Sequence, residues 1–222
     1  MSEMLYAEAR EEMVTVIAAY ANVSSEATGK AALDERVMQA MATVPRHEFV
    51  PMELRPLAYV DSPLPIGFDK TISQPFICAL MTDLLSPAPE EAVLEIGTGL
   101  GYQAAVLCEL AGRVYSVEIV EELAAEARRR LTRAGYSNLQ LRVGDGSVGW
   151  PQHAPFDKVM VTAAPELIPA ALINQLKPGG RMVIPAGIET SQQLMVLEKD
   201  AAGKLSTREI LPVRFSALTT SH

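Results

Sequence analysis

Apolar residues are grouped along the chain in two ways, and the two patterns alternate. Short runs rich in apolar residues occupy positions 93–96, 114–117, 139–143, 158–161 and 181–184. Runs of this kind are typical of strands that are buried on both faces of a parallel sheet. Between them, apolar residues return every three or four positions, which predicts helices at 77–84, 104–110, 120–134 and 169–176. Alternating strands and helices predict an α/β protein with a mostly parallel sheet.

The two ends of the chain depart from this alternation. Residues 1–22 have a helical pattern, and a second helix is predicted from about Asp34 until Pro45 ends it. Two helices are too small to enclose a core of their own, so we expect them to cover the main sheet. Near the other end, extended segments at 193–198 and 209–215 predict an antiparallel hairpin that closes the sheet.

These patterns together predict one domain over residues 1–222, built on a Rossmann-like, doubly wound, mostly parallel sheet. Its parts are an N-terminal helical cover (1–50), a proline-rich loop (51–75) and the Rossmann-like core (76–222). Long ordered loops in compact domains are often functional, so the loop is expected to contribute to a site.

Three glycines on alternate positions follow the first buried run, at Gly97, Gly99 and Gly101. Glycines at such a turn let a ligand lie against bare main chain, in front of a helix N-terminus. The dinucleotide fingerprint is G-x-G-x-x-G, and here the third glycine comes one residue early. Glu95, just before the turn, suits a ligand with a cationic end better than a pyrophosphate. The turn therefore predicts S-adenosylmethionine; the plain alternative is a glycine turn without a ligand.

Two further carboxylates come where predicted strands end. Glu118 closes the second strand about twenty residues after the glycines, where a Rossmann-like fold places the acid that binds ribose hydroxyls. Asp145, next to Gly146, follows the third strand. Ligands in open α/β sheets bind at the edge formed by the carboxyl ends of the strands, so these residues are candidates for the same site.

The composition of the chain limits which kinds of molecule it is expected to bind. The formal net charge of −8 argues against a binding partner made mainly of phosphate backbone. The basic run 128–130 follows glutamates at helical spacing, which indicates a helix face with ion pairs. Cys78 and Cys108 have apolar neighbours and are expected to be buried thiols in a reducing compartment. With no signal-peptide pattern and no long apolar run, we expect a cytoplasmic protein that binds neither nucleic acid nor membrane.

The chain resembles the class I S-adenosylmethionine-dependent methyltransferases in the order of its motifs. These motifs are the glycine turn with Glu95, then Glu118, Gly144-Asp145-Gly146 and the segment 176–180. A narrower resemblance is to the protein-L-isoaspartate O-methyltransferase family. It rests on the segments V-P-R-H-E-F-V-P (44–51), L-P-I-G (64–67), T-I-S-Q-P (71–75), 93–103, G-W-P (149–151) and L-P-V-R-F (211–215). It covers roughly residues 34–219, and T-I-S-Q-P is its most specific segment.

That resemblance implies methyl transfer from S-adenosylmethionine, with S-adenosylhomocysteine as product, to the free α-carboxylate of L-isoaspartyl residues or the β-carboxylate of D-aspartyl residues. Isoaspartyl-containing proteins and peptides would be the substrates of a monomeric enzyme that needs no metal. The catalytic serine falls on Ser73. The implied cofactor contacts are Thr71, Ile72, Ser73, Glu95, Gly97, Thr98, Gly99, Glu118, Asp145, Gly146 and Thr219.

Other interpretations stay open at this stage. Ser73 or Thr71 would also serve as the cap of the following helix, while His47 is expected to be a packing or loop residue. Pro165 comes one place earlier than in the family pattern, and Ala217 replaces a favoured proline. Either departure would fit a methyltransferase of a dedicated peptide or small molecule. A non-catalytic protein that binds the cofactor is the third alternative.

Overall fold

The computed structural model describes residues 2–220. The helices are α1 (Glu3–Val23), α2 (Ser25–Thr28), α3 (Glu35–Thr43), α4 (Pro75–Leu85), α5 (Tyr102–Cys108), α6 (Glu121–Arg133) and α7 (Ala170–Asn174). The strands are β1 (Leu64–Gly67), β2 (Lys70–Ile72), β3 (Ala92–Ile96), β4 (Arg113–Glu118), β5 (Leu139–Val143), β6 (Phe156–Val161), β7 (Leu176–Ile188), β8 (Ser191–Lys199) and β9 (Leu205–Val213). Within residues 2–220, no helix combines the length and apolar character that a membrane crossing needs.

Seven strands form the main sheet, in the order β5-β4-β3-β6-β7-β8-β9. Pairing is parallel from β5 through β7, whereas β8 and β9 are antiparallel additions at one edge. The chain leaves β3 towards β4 on one side and later returns to place β6 on the other side. This arrangement confirms the predicted Rossmann-like sheet with its closing hairpin, and it creates a switch point between β3 and β6 where such folds bind ligands.

The central strands are buried on both faces. Val93 packs in one hydrophobic cluster, while its neighbours Leu94 and Ile96 pack in a second cluster on the opposite face. Met160 and Val159 divide in the same way on β6. Because successive side chains of a strand point to opposite faces, this alternation explains why the sequence reads as a continuous apolar run.

The N-terminal helices α1 and α3 cover the main domain by packing on α4, which itself packs on β6 and β7. Met13 and Ile17 of α1 are buried in the same cluster as Leu80 of α4. A polar contact fixes the connection to α3: the buried Asp83 carboxylate accepts the Asp34 backbone N–H at 2.6 Å and pairs with Lys30 at 2.9 Å.

The loop before α4 has more structure than expected. It contains two 3-10 turns (Arg46–Phe49 and Met52–Leu57) and the β1–β2 hairpin, whose tip includes Phe68 and Asp69 with positive φ. Proline in both the loop and β1 hides these short elements from a periodicity argument, because hairpin pairing depends on contacts between segments.

The segment 177–180, which separates the predicted helix at 169–176 from the predicted strand at 181–184, forms a bulge within β7. Phe156 pairs with Leu176 and Lys158 pairs with Arg181, so four residues of β7 lie opposite one residue of β6. A bulge lets a strand absorb glycine and proline without losing its partner, which explains why β7 extends over a sequence that is typical of turns.

Helix α4 begins directly after the T-I-S-Q segment, and a distant side chain completes its N-terminus. Gln74 is the N-cap residue but makes no capping bond with its side chain, and Pro75 occupies the first turn. Asp61 Oδ1 accepts the Phe76 backbone N–H at 2.8 Å, while Asp61 Oδ2 accepts Gln74 Nε2 at 2.6 Å. The interpretation of Ser73 or Thr71 as the helix cap is therefore wrong; Asp61 supplies that hydrogen bond.

Replacement of Asp61 by alanine is expected to lower the free energy of unfolding by about 1–2 kcal/mol, the range for a lost N-terminal capping bond. Asp61→Asn keeps an acceptor for Phe76 and is expected to lose less. Urea unfolding of the two variants and the wild type measures the difference. Equal stability of all three proteins would show that Asp61 does not cap α4.

Candidate active site

A cavity of about 540 Å³ opens at the carboxyl ends of the parallel strands. The segments that follow β3, β4, β5 and β6 all contribute to its wall, together with the 70–78 segment and the tail 212–219. The cavity thus lies at the switch point of the sheet, where open α/β folds bind their ligands.

Nine of the eleven residues named from the sequence as cofactor contacts line this cavity. They are Thr71, Ile72, Ser73, Gly97, Thr98, Gly99, Glu118, Gly146 and Thr219. The other two, Glu95 and Asp145, do not line it. The fold therefore brings together residues that are up to 148 positions apart along the chain.

The glycine turn is held by the strand beside it. Thr162, which follows β6, donates its hydroxyl proton towards the carbonyls of Ile96 at 3.0 Å and Gly97 at 2.7 Å. Gly97 has φ +96°, and a Cβ atom there would lie 2.5 Å from the Thr162 hydroxyl oxygen. Only glycine satisfies both the backbone conformation and this close approach.

Glu118 holds the same turn at Gly99. Its Oε2 accepts the Gly99 backbone N–H at 2.8 Å, and its Oε1 accepts the Val120 N–H at 3.0 Å. An ionised carboxylate has about four acceptor sites, so two remain for ligand hydroxyls at the cavity wall. Glu118 is therefore suited both to shape the turn and to bind the two hydroxyls of a ribose.

Glu95 lies beneath the turn, fully buried. The Ser116 hydroxyl donates to Glu95 Oε2, and the Thr98 hydroxyl is 2.5 Å from that of Ser116. Burial raises the pKa of Glu95 to about 8; the Glu118 charge also raises it, whereas the Ser116 bond lowers it. In this position Glu95 supports the turn through Ser116 and Thr98, and direct contact with the cofactor stays a prediction.

Asp145 shapes the neighbouring 3-10 turn, Gly146–Val148. Its Oδ1 accepts the Ser147 backbone N–H at 2.8 Å, which presents Gly146 to the cavity. The sequence suggested a direct cofactor contact for Asp145, and this also stays a prediction.

The segment that carries Ser73 is held from behind by a buried arginine. Arg46 Nη2 donates to the Ser73 carbonyl at 2.7 Å, and Arg46 Nε donates to the Ala58 carbonyl at 2.7 Å. Its guanidinium carbon lies 4.8 Å from the centre of the Tyr102 ring. Among residues 2–220, no side chain forms a hydrogen bond with the Ser73 hydroxyl, so that group is available to a ligand.

His47 is a packing residue, as the sequence indicated. Its ring stacks on Tyr6 with 3.8 Å between the centroids, and its Nδ1 is 2.8 Å from the Tyr59 hydroxyl. Burial lowers its pKa. The cysteines also follow the expectation, since Cys78 and Cys108 are both free and buried.

Sequence reasoning missed several residues that build the site. Thr162 and Arg46 act on the backbone of the two ligand-binding segments, and only the structure shows which carbonyls they reach. The motif V-P-R-H-E-F-V-P contained Arg46 but gave no reason to connect it with Ser73. The tail was represented by Thr219 alone, although residues 212–219 all line the cavity.

Fold and site together define a Rossmann-like methyltransferase of the S-adenosylmethionine-dependent class. The bare glycine turn, the free acceptor sites of Glu118 and the cavity volume fit that cofactor. A model of the family described as protein-L-isoaspartate(D-aspartate) O-methyltransferase (PCMT) matches residues 22–222. The chain belongs to this family.

Relatives that carry the family's name are similar to this chain over most of its length. "Protein-L-isoaspartate O-methyltransferase 1" of a Polaromonas species is 63% identical over 218 residues, which are 98% of this chain and 92% of the relative. "Protein-L-isoaspartate O-methyltransferase 2" of Syntrophobacter fumaroxidans is 56% identical over 98% of this chain and 88% of its own length. These identities extend over nearly the whole chain, including the N-terminal residues that the motifs left unmatched.

Solved structures show the same fold. A protein-L-isoaspartate O-methyltransferase superposes with a TM-score of 0.80 and 28% identity, over 94% of this chain and 65% of the other. A Plasmodium falciparum structure, described as a beta-aspartate methyltransferase (PCMT) in complex with S-adenosyl-L-homocysteine, gives a TM-score of 0.73 at 21% identity. It covers 85% of this chain and 92% of that chain, and it supports the fold alone.

The burial of Glu95 predicts how the free energy of unfolding depends on pH. Its pKa is raised from 4.5 to about 8 in the folded protein, so between these values the folded state holds a proton that the unfolded chain releases. Stability is therefore expected to fall as pH rises through this window, by up to about 1.4 kcal/mol per pH unit. Glu95→Gln removes the titrating group, so its stability relative to wild type is expected to increase from pH 5 to pH 8.

Urea unfolding at three pH values measures this difference. Glu90→Gln is the matched control, since it removes an exposed carboxylate and is expected to track the wild type. Parallel pH profiles for Glu95→Gln and wild type would show that Glu95 titrates normally.

Proposed function

We propose that this methyltransferase transfers a methyl group to the free carboxylate of L-isoaspartyl residues, and of D-aspartyl residues, in damaged proteins and peptides. The observation that carries the proposal is the position of Ser73. Its available hydroxyl lies on the wall of the same cavity as the glycine turn and Glu118. The methyl ester then closes to a succinimide that can reopen as normal aspartate, so methylation initiates repair.

The site suits a nucleophile that is already ionised. A carboxylate at neutral pH needs no proton removed, and no histidine is among the described residues that line the cavity. The main requirement is alignment of carboxylate oxygen, methyl carbon and sulfur. The charge of the sulfonium is lost in the products, so a poorly solvated cavity also favours the reaction.

The chain's own residues divide this work. We propose that Glu118 accepts hydrogen bonds from the ribose hydroxyls, and that Gly97, Thr98, Gly99 and Gly146 admit the cofactor to bare main chain. Thr71, Ile72 and Thr219 complete the wall, with Glu95 and Asp145 supporting it from outside the cavity. Bound S-adenosylmethionine supplies the methyl group. Ser73 donates a hydrogen bond that orients the substrate carboxylate, and Arg46 fixes the main chain that carries Ser73.

We further propose that residues 1–222 act as one methyltransferase domain, because α1, α4 and β3 share one hydrophobic cluster, and that this domain acts as a monomer. The free, buried cysteines support a reducing compartment such as the cytoplasm. The net charge of −8 supports a protein partner rather than a nucleic acid or an anionic membrane.

The alternative of a dedicated substrate rested on Pro165 and Ala217. Ala164 and Ala217 face each other in a single bridge, in which Ala164 bonds the backbones of Ser216 and Leu218 at 2.9 Å each. The Pro165 carbonyl accepts the Gly187 N–H at 3.0 Å. Both departures thus lie where the segment after β6 bonds to the tail and to β7, and these contacts do not favour a narrowed substrate.

Paired peptides that differ only in isoaspartyl against aspartyl linkage test the proposed function. Labelled methyl groups from S-adenosylmethionine are expected to appear in the isoaspartyl peptide and to be near background in the aspartyl one. Labelling of neither peptide, with cofactor binding intact, would contradict the proposed substrate.

Ser73→Ala is expected to lower kcat about 10- to 100-fold, the range for a hydrogen bond to a charged group. The affinity for S-adenosylmethionine, measured by calorimetry, should change little. Ser62→Ala in the same loop removes a hydroxyl away from the cavity and serves as the control. A loss of cofactor binding with unchanged kcat at saturation would contradict the catalytic role of Ser73.

A further inference from the structure

Two basic side chains line the cavity, and neither has a role in the site as described so far. Lys70 is half-buried and belongs to β2, three residues before Ser73; Arg214 is exposed and follows β9. Within residues 2–220, neither side chain forms an ion pair or a hydrogen bond with the protein. Both cations are therefore available to an anionic ligand.

The two segments that carry these cations are fixed side by side. The Ser216 hydroxyl donates to the Asp69 carbonyl at 3.4 Å, which joins the tail to the β1–β2 hairpin. Gln192 holds the tail from below: its Oε1 accepts the Phe215 N–H at 2.7 Å, and its Nε2 donates to the Phe215 carbonyl at 3.1 Å. Lys70 directly follows Asp69, and Arg214 lies two residues before Ser216.

Lys70 shares its strand face with Ile72, because alternate residues of a strand point the same way. Ile72 is buried and lines the cavity. Lys70 itself also lines the cavity, in the same segment as Ser73.

The charges around the cavity are unevenly distributed. Glu118 is the one carboxylate among the described lining residues, and two backbone N–H groups already bond its oxygens. Glu118 closes β4 beside the glycine turn, whereas Lys70 and Arg214 lie on the Ser73 segment and the tail. The lining residues within 2–220 have a formal charge of +1 (two cations and one carboxylate) in a chain of net charge −8.

We propose that Lys70 and Arg214 form a carboxylate-recognition pair that draws the α-carboxylate of the isoaspartyl residue to Ser73. This inference rests on the proposed function and names the residues that select its substrate. Basic side chains on the wall of a cleft raise the local concentration of anionic ligands, and here they counteract the repulsion from the acidic chain.

The same pair discriminates against the product. In the reaction a carboxylate oxygen forms a bond to the methyl carbon, the carbon–sulfur bond breaks, and sulfur keeps that electron pair as a neutral thioether. The carboxylate loses its charge on becoming an ester, so its attraction to Lys70 and Arg214 disappears. The pair thus favours binding of the substrate and release of the product.

The pair is expected to act on KM rather than on kcat. A cation that stabilises the ionised carboxylate stabilises the ground state more than a transition state in which that charge is vanishing. Half-exposed ion pairs contribute up to about 1 kcal/mol, which is about a fivefold change in binding. Salt weakens them, because the screening length is about 10 Å at 0.1 M ionic strength.

The test compares Lys70→Gln, Arg214→Gln and the double variant with wild type on an isoaspartyl peptide. Each single change is expected to raise KM about three- to fivefold, and the double change about tenfold or more, with kcat retained. Lys204→Gln, in the exposed turn between β8 and β9, removes the same charge away from the cavity and should leave KM unchanged.

Two further measurements separate carboxylate recognition from a structural effect. Raising the salt concentration should increase KM of the wild type and have less effect on the double variant. A peptide whose isoaspartyl α-carboxylate is replaced by a neutral carboxamide should inhibit wild type and double variant equally. Calorimetry gives the affinity of each variant for S-adenosylmethionine, which also carries a carboxylate, and it should be unchanged.

Three results would overturn the inference. Unchanged KM in the double variant would show that the cations do not bind the substrate. Weaker cofactor binding with unchanged peptide KM would assign them to the carboxylate of the cofactor. Failure of the wild type to methylate the isoaspartyl peptide would remove the proposed function itself, and the inference with it.

Discussion

The closure of the glycine turn between β3 and α5 controls how the rest of the site is arranged. Thr162 holds the carbonyl of Gly97 from β6, and Glu118 holds the N–H of Gly99 from β4. Both partners come from strands that neighbour β3 in the sheet, so the parallel sheet itself sets the shape of the turn. Because bare main chain has no side chain to adapt to a ligand, its position must be fixed by its surroundings.

Those surroundings include polar groups that are costly to bury. Glu95 has no place in an apolar core unless it is bonded or neutral, and the structure provides both solutions: a bond from Ser116 and a pKa raised by burial to about 8. Arg46 is likewise fully buried, and its charge is spread over two carbonyls and the Tyr102 ring. These groups fix the glycine turn and the Ser73 segment, two parts of the cavity wall, which is what an alignment-dependent reaction requires.

The sequence predicted those parts of the fold that depend on local periodicity. The runs at β3 and β6 are apolar because both faces of the sheet are covered, and the three glycines mark a turn with positive φ at each of them. The β1–β2 hairpin and the bulge in β7 depend on pairing between segments, and their prolines and glycines read as loops. Asp61 and Thr162 act on residues 15 and 65 positions away, respectively, a relation that no spacing pattern expresses.

The candidate site was predictable where local patterns determine it, and not where it depends on contacts between distant segments. Residues at the ends of parallel strands had to meet at one edge of the sheet, so Gly97, Glu118 and Gly146 were found together. Which carboxylate faces the cavity depends on side-chain direction: Glu118 lines it, whereas Glu95 turns into the core. Among the described lining residues, Glu118 is then the one carboxylate, and backbone N–H groups already bond it. An anionic substrate can therefore approach Ser73 without facing an unpaired carboxylate from these residues. The burial of Glu95 is therefore part of what makes the cavity suitable for a carboxylate substrate.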